Sequence, residues 1–382
     1  MRLAALVLAG AMVAQGAAAQ AVRARVVALN AEAVPGAIVT LVDSTDTPIA
    51  RALSDDQGEV SMRLPAAGQY RFQVMRLGFR PTLVTPFRVA AGQVVERPIA
   101  LTDVAIPLSP VHIVAERGCL TDVDSSSAAF FVWEEARKAL IAAQLTRMTR
   151  AYSMDVGLFS SRQGSDAKEA PIISRDERHI ENLRPFVTLP PERLAAEGYV
   201  LRGTKSDRYF APDEDVLLSE SFAATHCLRL LPDSGSADLI RLGFTPLPER
   251  RQADIKGVLL VDRSTSELRR IDFSYVNLRA SEMLGSPNGE LAFRRLPEGS
   301  WIIEYWALGI PFFEEHVQKE LINNVPVRPV RVPPPKPTVT SVRTGRVITG
   351  GGVTRVRFGD SVIWQAVETP KPHPRVPLPP NL

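Results

Sequence analysis

From Val22 to Leu101 the chain falls into apolar–polar alternations of roughly four to eight residues, each closed by turn chemistry, with no helical period. VRARVVAL alternates, and AVPGAIVTLVD sets Pro35 and Gly36 before a branched run. Asp55, Asp56, Gln57 and Gly58 make a turn before VSMRL, Gly68 precedes YRFQVMR, and Gly78 with Phe79 ends that strand. Side chains alternate across a strand, so short strands of this kind bury one face only by packing two sheets together. The pattern predicts a small antiparallel β-sandwich over residues 20–104.

The same residues resemble the carboxypeptidase regulatory-like domain, a prealbumin-like β-sandwich. The likeness rests on Pro35, Gly36 and Ala37, on Asp56 and Gly58, on the Gly68 and Tyr70 strand entry, and on the Gly78–Phe79 pair. It implies a non-catalytic docking, stability or binding unit. Such modules accompany peptidases, sugar-processing systems and outer-membrane receptors, so it does not fix an activity. The zinc peptidase part has no counterpart, because His112, His179, His226, His316 and His373 show no metal-ligand spacing. An outer-membrane barrel needs many lipid-facing strands of about ten residues, which the remaining length and proline content do not supply.

Residues 1–19 read as an export signal: Arg2, an apolar stretch from Leu3 to Val13, and Ala17, Ala18 and Ala19 before the cut. The stretch is short of the ~20 residues that span a bilayer, and no cysteine near the cut offers a lipid anchor. The expectation is a periplasmic or secreted protein with no transmembrane segment after signal removal. In that compartment the two cysteines, Cys119 and Cys227, are expected to pair as a disulfide. Two free buried thiols are the competing reading. His226 beside Cys227 invites a metal, yet no CxxC, HExxH or HxxE spacing accompanies it.

The formal charge of +3 gives no electrostatic case for nucleic acid. The pairs Arg250/Arg251, Arg269/Arg270 and Arg294/Arg295 sit beside strands and read as solvated strand ends. An apolar fraction of 45% with 23% charged residues can bury a sizeable core.

After a connector at 105–124, residues 125–312 read as an α+β domain. Ser125, Ser126 and Ser127 offer N-caps for AAFFVWEEARKALIAAQL, whose Phe130, Trp133, Arg137, Leu140 and Ile141 would share the buried face, with Glu134 and Lys138 paired on the wet side. PPERLAAEG predicts a short helix with Pro191 in its first turn and Gly198 at its stop. VLLSESFAATHCL predicts another, capped by Asp213 or Ser219. The acidic run Asp213, Glu214 and Asp215 lacks the spaced ligands and glycine of a calcium loop. It reads as complementing a helix dipole. ADLIRLGFTPL, DIKGVLLVD, SELRRIDFSYVNL, GELAFRRLP and SWIIEYWAL are strand candidates with tight connections, hence an antiparallel meander. The fold class is mainly β: a sandwich followed by a meander covered by two or three helices. Residues 313–382 read as a proline-rich tail carrying a hairpin that turns at Gly350, Gly351 and Gly352; no lysine and Ser/Thr follow, so it is not a phosphate loop.

The Gly257 strand start, the Asp262 turn before LRRI, and the Gly299/Trp301 entry also resemble the lipoprotein-carrier half-barrel. That likeness implies an apolar cavity lined by Phe273, Trp301, Ile303 and Tyr305, although a closed core would use the same residues. Three functions follow. The first is a non-enzymatic envelope protein, without cofactor or metal, whose partner is an envelope protein, a polysaccharide or lipid. The second is a periplasmic carrier of lipid or another apolar ligand. The third is a hydrolase using Glu134/Glu135 or Glu314/Glu315; adjacent acids on a helix point about 100° apart and cannot flank one bond, so each needs a distant partner. No nucleophile elbow is present.

Overall fold

The computed structural model describes residues 20–102, 128–149, 151–164, 172–181, 183–204, 206–232, 238–279, 286–318, 338–373, 378 and 382. The export signal, the connector with Cys119 and His112, and the three serine caps lie outside these residues.

The first unit comprises β1 (Ala21–Ala28), β2 (Ile38–Asp43), β3 (Pro48–Leu53), β4 (Glu59–Arg63), β5 (Gly68–Met75), β6 (Thr82–Leu83), β7 (Phe87–Val89) and β8 (Val94–Leu101). Sheet β4-β1-β8 faces sheet β3-β2-β5-β6, with β7 on β5. The expected sandwich is present, with one pairing that differs: β1 and β8, the first and last strands, run parallel. Val22, Ala24 and Val26 point inward by alternation and meet Val39, Leu41, Phe72 and Val74. Gly58 closes the predicted turn at φ +76, where a Cβ would sit 2.3 Å from the Val26 carbonyl oxygen.

The second unit opens with α1 (Ala128–Met148), followed by β9 (Tyr152–Gly164), β10 (Ile172–Ile180), α2 (Pro191–Glu197), β11 (Val200–Leu201), β12 (Arg208–Tyr209), α3 (Glu214–Leu217) and α4 (Glu220–Ala223). Then come β13 (His226–Leu230), β14 (Leu239–Pro246), β15 (Asp254–Asp262), β16 (Leu268–Val276), β17 (Asn288–Arg295), β18 (Trp301–Gln318), β19 (Thr338–Phe358) and β20 (Ser361–Gln365). They build a ten-stranded sheet ordered β10-β9-β19-β18-β17-β16-β15-β14-β13, with β20 on β19. The five meander strands fall where the alternation puts them, each antiparallel to the next.

Local signals at the short helices hold: Pro191 sits at the start of α2, Gly198 ends it at φ +89, and the side chains of Asp213 and Ser219 accept from Val216 N and Phe222 N to cap α3 and α4. The predicted helix through His226 and Cys227 stops short, because these residues pair as β13 with β14. Among the described residues, one long helix and three short ones accompany the sheet, in keeping with the expected mainly-β fold with covering helices.

Of the residues after 312, the described strand segments join the sheet and are not an appended tail. β18 continues to Gln318, and β19 lies inside the sheet between β18 and β9. The hairpin exists, but it turns between Phe358 and Ser361, not at the glycine run. Gly350, Gly351 and Gly352 lie mid-strand because neighbours fill the space a side chain would need: a Cβ at Gly351 would lie 2.8 Å from the Trp306 indole, and one at Gly352 2.8 Å from the Pro370 ring.

The predicted α1 face is also corrected. Leu140 and Ile141 are buried as expected, but Phe130, Trp133 and Arg137 are only half-buried, and the rest of the buried surface comes from Ala129, Val132, Ala136, Ala139, Ala142, Ala143 and Thr146, joined by Glu135 and Lys138. The helix packs on two sides at once, against β2 and β3 of the sandwich and against β13–β16 and β18 of the sheet. Alanine allows that close approach on both sides. Lys138 pairs with Glu135 at 2.5 Å in the interior, and Glu134 pairs instead with Arg137 at 2.7 Å.

That interior pair joins the two units. Lys138 Nζ also donates to the carbonyls of Arg76 (3.3 Å) and Phe79 (3.2 Å), while Gly78 N–H donates to Glu135 at 3.1 Å. Arg76, buried beside them, donates to the Pro35 carbonyl at 2.9 Å; burial brings its guanidinium down to about 10. Gly36 and Gly299 meet backbone to backbone, each at positive φ. Ile38 and Leu77 of the sandwich belong to the core of the second unit.

Breaking one half of a buried pair leaves an uncompensated charge, so Lys138→Met is expected to lower stability by about 3–5 kcal/mol in urea denaturation. Adding Glu135→Leu should recover part of that. The Gly78 N–H, left without its acceptor, should keep about 1–3 kcal/mol of the loss. A single-variant effect below about 1 kcal/mol would show that the pair does not hold the seam.

Candidate functional site

The seam leaves a cleft of about 670 Å³ beside the C-terminal end of α1. Ligand sites favour such boundaries, because two units supply walls that neither builds alone. One wall is the sandwich, from Arg51 through Leu53 to Asp56; the other is Leu145, Met148 and Thr149 of α1 and the turn after it. Phe358 and Ile363, from β19 and β20, close the side. Met148 and Phe358 are large apolar groups left 67% and 49% exposed, an unusual pairing for one site.

The polar floor comes from two turns. After α1 ends, Thr149 N–H returns to Thr146 and Tyr152 N–H to Thr149, starting β9 with Tyr152 turned inward. The β17–β18 turn, Pro297 to Ser300, needs Gly299 at φ +95 and presents Glu298 and Ser300. Tyr152 and Ser300 share a hydrogen bond of 2.6 Å, and the Tyr152 hydroxyl donates to Glu298 at 3.4 Å. Burial pushes the Tyr152 phenol up to about 12 and raises the Glu298 carboxyl above its ordinary value. The arrangement offers converging hydrogen-bonding groups beside the apolar side chains of Leu53, Leu145, Met148, Phe358 and Ile363.

None of the expected cavity residues lies here. Phe273, Trp301 and Ile303 are buried in the core under α1. Tyr305 is on the opposite face with Phe159, Ala307 and Ile348. The cause is a bulge: Ala292 pairs with Tyr305 and Phe293 with Ile303, leaving Glu304 as the extra residue, so the alternation reverses and Trp306 replaces Tyr305 on the inner face. Cys227 sits half-buried on β13; its expected partner is outside the described residues. His226 is buried, its Nε2 3.1 Å from Asp254, which also pairs with Arg250; this ties β13 to β15. His179 meets Asp155 at 2.8 Å and His373 meets Glu290 at 3.3 Å. Among the described residues no group of three or more His, Cys, Asp or Glu is disposed to hold a metal ion, and no helix is long and apolar enough to cross a membrane.

The pairs Arg269/Arg270 and Arg294/Arg295 meet carboxylates: Arg269 with Asp262 at 3.0 Å, Arg270 with Asp272 at 2.9 Å, Arg294 with Glu304, and Arg295 with Glu267 at 3.7 Å. Of the acidic run, Glu214 and Asp215 bind Arg147 at the end of α1, at 2.5 and 2.7 Å, and so fasten α3 to the helix. Glu134 and Glu135 are committed to Arg137 and Lys138. Tyr152, Glu298 and Ser300 carried no motif in the sequence; the Gly299/Trp301 signal located their turn only as a strand entry.

Comparison with known proteins places the first unit. No curated protein matches the chain. Among solved structures, catechol 1,2-dioxygenase from Pseudomonas arvilla C-1 is 13% identical over 23% of this chain, which spans 53% of that one, with a TM-score of 0.19. BcpA, the major pilin subunit of Bacillus cereus, is 10% identical over 85% of this chain and 95% of its own, with a TM-score of 0.20. A streptococcal ancillary pilin is 12% identical over 52% and 61%, with a TM-score of 0.21. The sequence profile of the carboxypeptidase regulatory-like domain matches residues 21–102, the whole span from β1 to β8. Residues 21–102 are therefore a carboxypeptidase regulatory-like domain, here fastened to a helix-covered antiparallel sheet.

Proposed function

We propose that this is an exported, non-enzymatic envelope protein that binds a small amphipathic ligand in the cleft between its regulatory-like domain and its sheet. The observation that carries the reading is the cleft's make-up: the Tyr152–Ser300–Glu298 network at its floor, with exposed Met148 and Phe358 at its side. Apolar walls with a few convergent polar groups are what a ligand of mixed character needs for affinity and orientation. A ligand carrier built on the inner face of the sheet has less support, because Phe273, Trp301 and Ile303 are packed beneath α1.

The neutral dye N-phenyl-1-naphthylamine should bind the full chain saturably, with its fluorescence enhanced. Thr149→Trp, a change at an exposed cleft position, should weaken that binding at least tenfold. Absence of saturable binding, or binding untouched by Thr149→Trp with the fold intact by circular dichroism, would defeat the reading. Native mass spectrometry of protein purified from its own envelope then gives the mass of the natural ligand.

The export reading carries a second expectation, that Cys119 and Cys227 form a disulfide. Closing a loop of order 100 residues is worth about 4–5 kcal/mol in the chain-entropy model. Non-reducing peptide mapping should recover the two cysteines in one linked fragment, and reduction should shift the urea midpoint downward. Two titratable thiols in native protein would refute it.

A further inference from the structure

The face of the sheet turned away from α1 carries a groove of its own. Gly157, Gly352, Tyr305 and Ala292 are direct cross-strand neighbours on β9, β19, β18 and β17 and so lie in one row on one face. At Gly157 and Gly352 the backbone is bare, and the Pro370 ring rests on both: a Cβ at Gly352 would lie 2.8 Å from it and one at Gly157 3.3 Å. Three residues on, His373 stacks on Tyr305 with ring centres 4.0 Å apart, and its N–H reaches the Tyr305 hydroxyl at 3.3 Å. Farther across the sheet, Leu382 lies over Gly243, and its carbonyl accepts from Lys256 Nζ at 3.3 Å. Residues 366–373 thus cross the strands instead of extending them.

Its composition explains that course. Pro370 and Pro372 lack N–H groups and cannot join a ladder, while proline-rich chain is already extended and loses little freedom on docking. Besides the His373 N–H to Tyr305 and Lys256 to Leu382 contacts, polar ties to this segment are Ala366 N–H to the Thr354 carbonyl at 2.9 Å, Arg175 to the Pro370 carbonyl at 3.5 Å and His373 to Glu290 at 3.3 Å. Ring packing on glycine and tyrosine is the recognition mode of aromatic grooves that take polyproline II ligands.

We propose that this groove is a binding site for a proline-rich peptide of another chain, occupied in cis by the chain's own Pro370–His373 segment. The tether keeps the cis segment at an effective concentration of roughly millimolar, so a partner in trans competes only when the cis contacts loosen. Glycine at 352 sets the specificity, because a Cβ there would lie 2.8 Å from the ring and lift it off the strands, and Gly157 leaves room for the same ring at 3.3 Å.

The test uses the full chain and a fluorescent peptide of residues 366–382. Wild type should bind it weakly. The variant Pro370→Gly/His373→Ala, altered only in the strap, should bind it at least tenfold more tightly by fluorescence anisotropy. Adding Gly352→Ala to that variant should reverse the gain, and a proline-free peptide of equal charge should fail to compete. Circular dichroism and thermal melting confirm that each variant is folded. If the strap variant gains no affinity while folded, or if Gly352→Ala leaves the gain intact, the groove is not such a site. Equal competition by the proline-free peptide would overturn it as well.

Discussion

The buried Glu135–Lys138 pair is the constraint on which the arrangement of this protein depends. Neither ion could lie in the interior alone, since desolvation costs several kcal/mol per charge. Each has what the other needs, and the remaining hydrogen-bonding capacity is taken by the backbone of residues 76–79 in the sandwich. The charges are satisfied only when the regulatory-like domain and α1 are together. A turn that in isolation would only close a β-sandwich becomes a docking element.

Close packing on both sides of α1 follows from the same circumstance. The helix has no wholly wet side, which is why alanines occupy so many of its buried positions and why β2 is buried on both faces, Val39 and Leu41 toward the sandwich core and Ile38 toward the helix. Gly36 and Gly299 complete the seam where a side chain on either would collide with the other's backbone. The cleft is what this joint leaves open, and its polar floor hangs from the turn that holds Gly299.

The outer face of the sheet shows how small interruptions redirect a strand. The bulge at Glu304 moves Tyr305 out of the core and onto the surface where the proline segment lies, while the glycine run of β19 admits Trp306 on one side and Pro370 on the other. β19 itself holds the β9–β10 hairpin to the meander, since it is the strand hydrogen-bonded to both β9 and β18.

The amino-acid order by itself determined the sandwich, the five meander strands, the ends of α2 and the caps Asp213 and Ser219, because alternation, turn residues and capping act over a few neighbouring positions. Its readings of the segment beyond residue 312 and of the Gly350–Gly352 turn followed the same local rules and missed, and its α1 face held at Leu140 and Ile141 but not at Phe130, Trp133 and Arg137. Tertiary structure decided these: a helix gripped on two sides does not show a one-sided stripe, a strand inserted late in the chain owes its place to partners nearly two hundred residues away, and a bulge shifts the phase of everything after it. The cleft was illegible for the same reason. Leu53, Tyr152, Glu298 and Phe358 have no sequence relation to one another and come together only once the two units are joined.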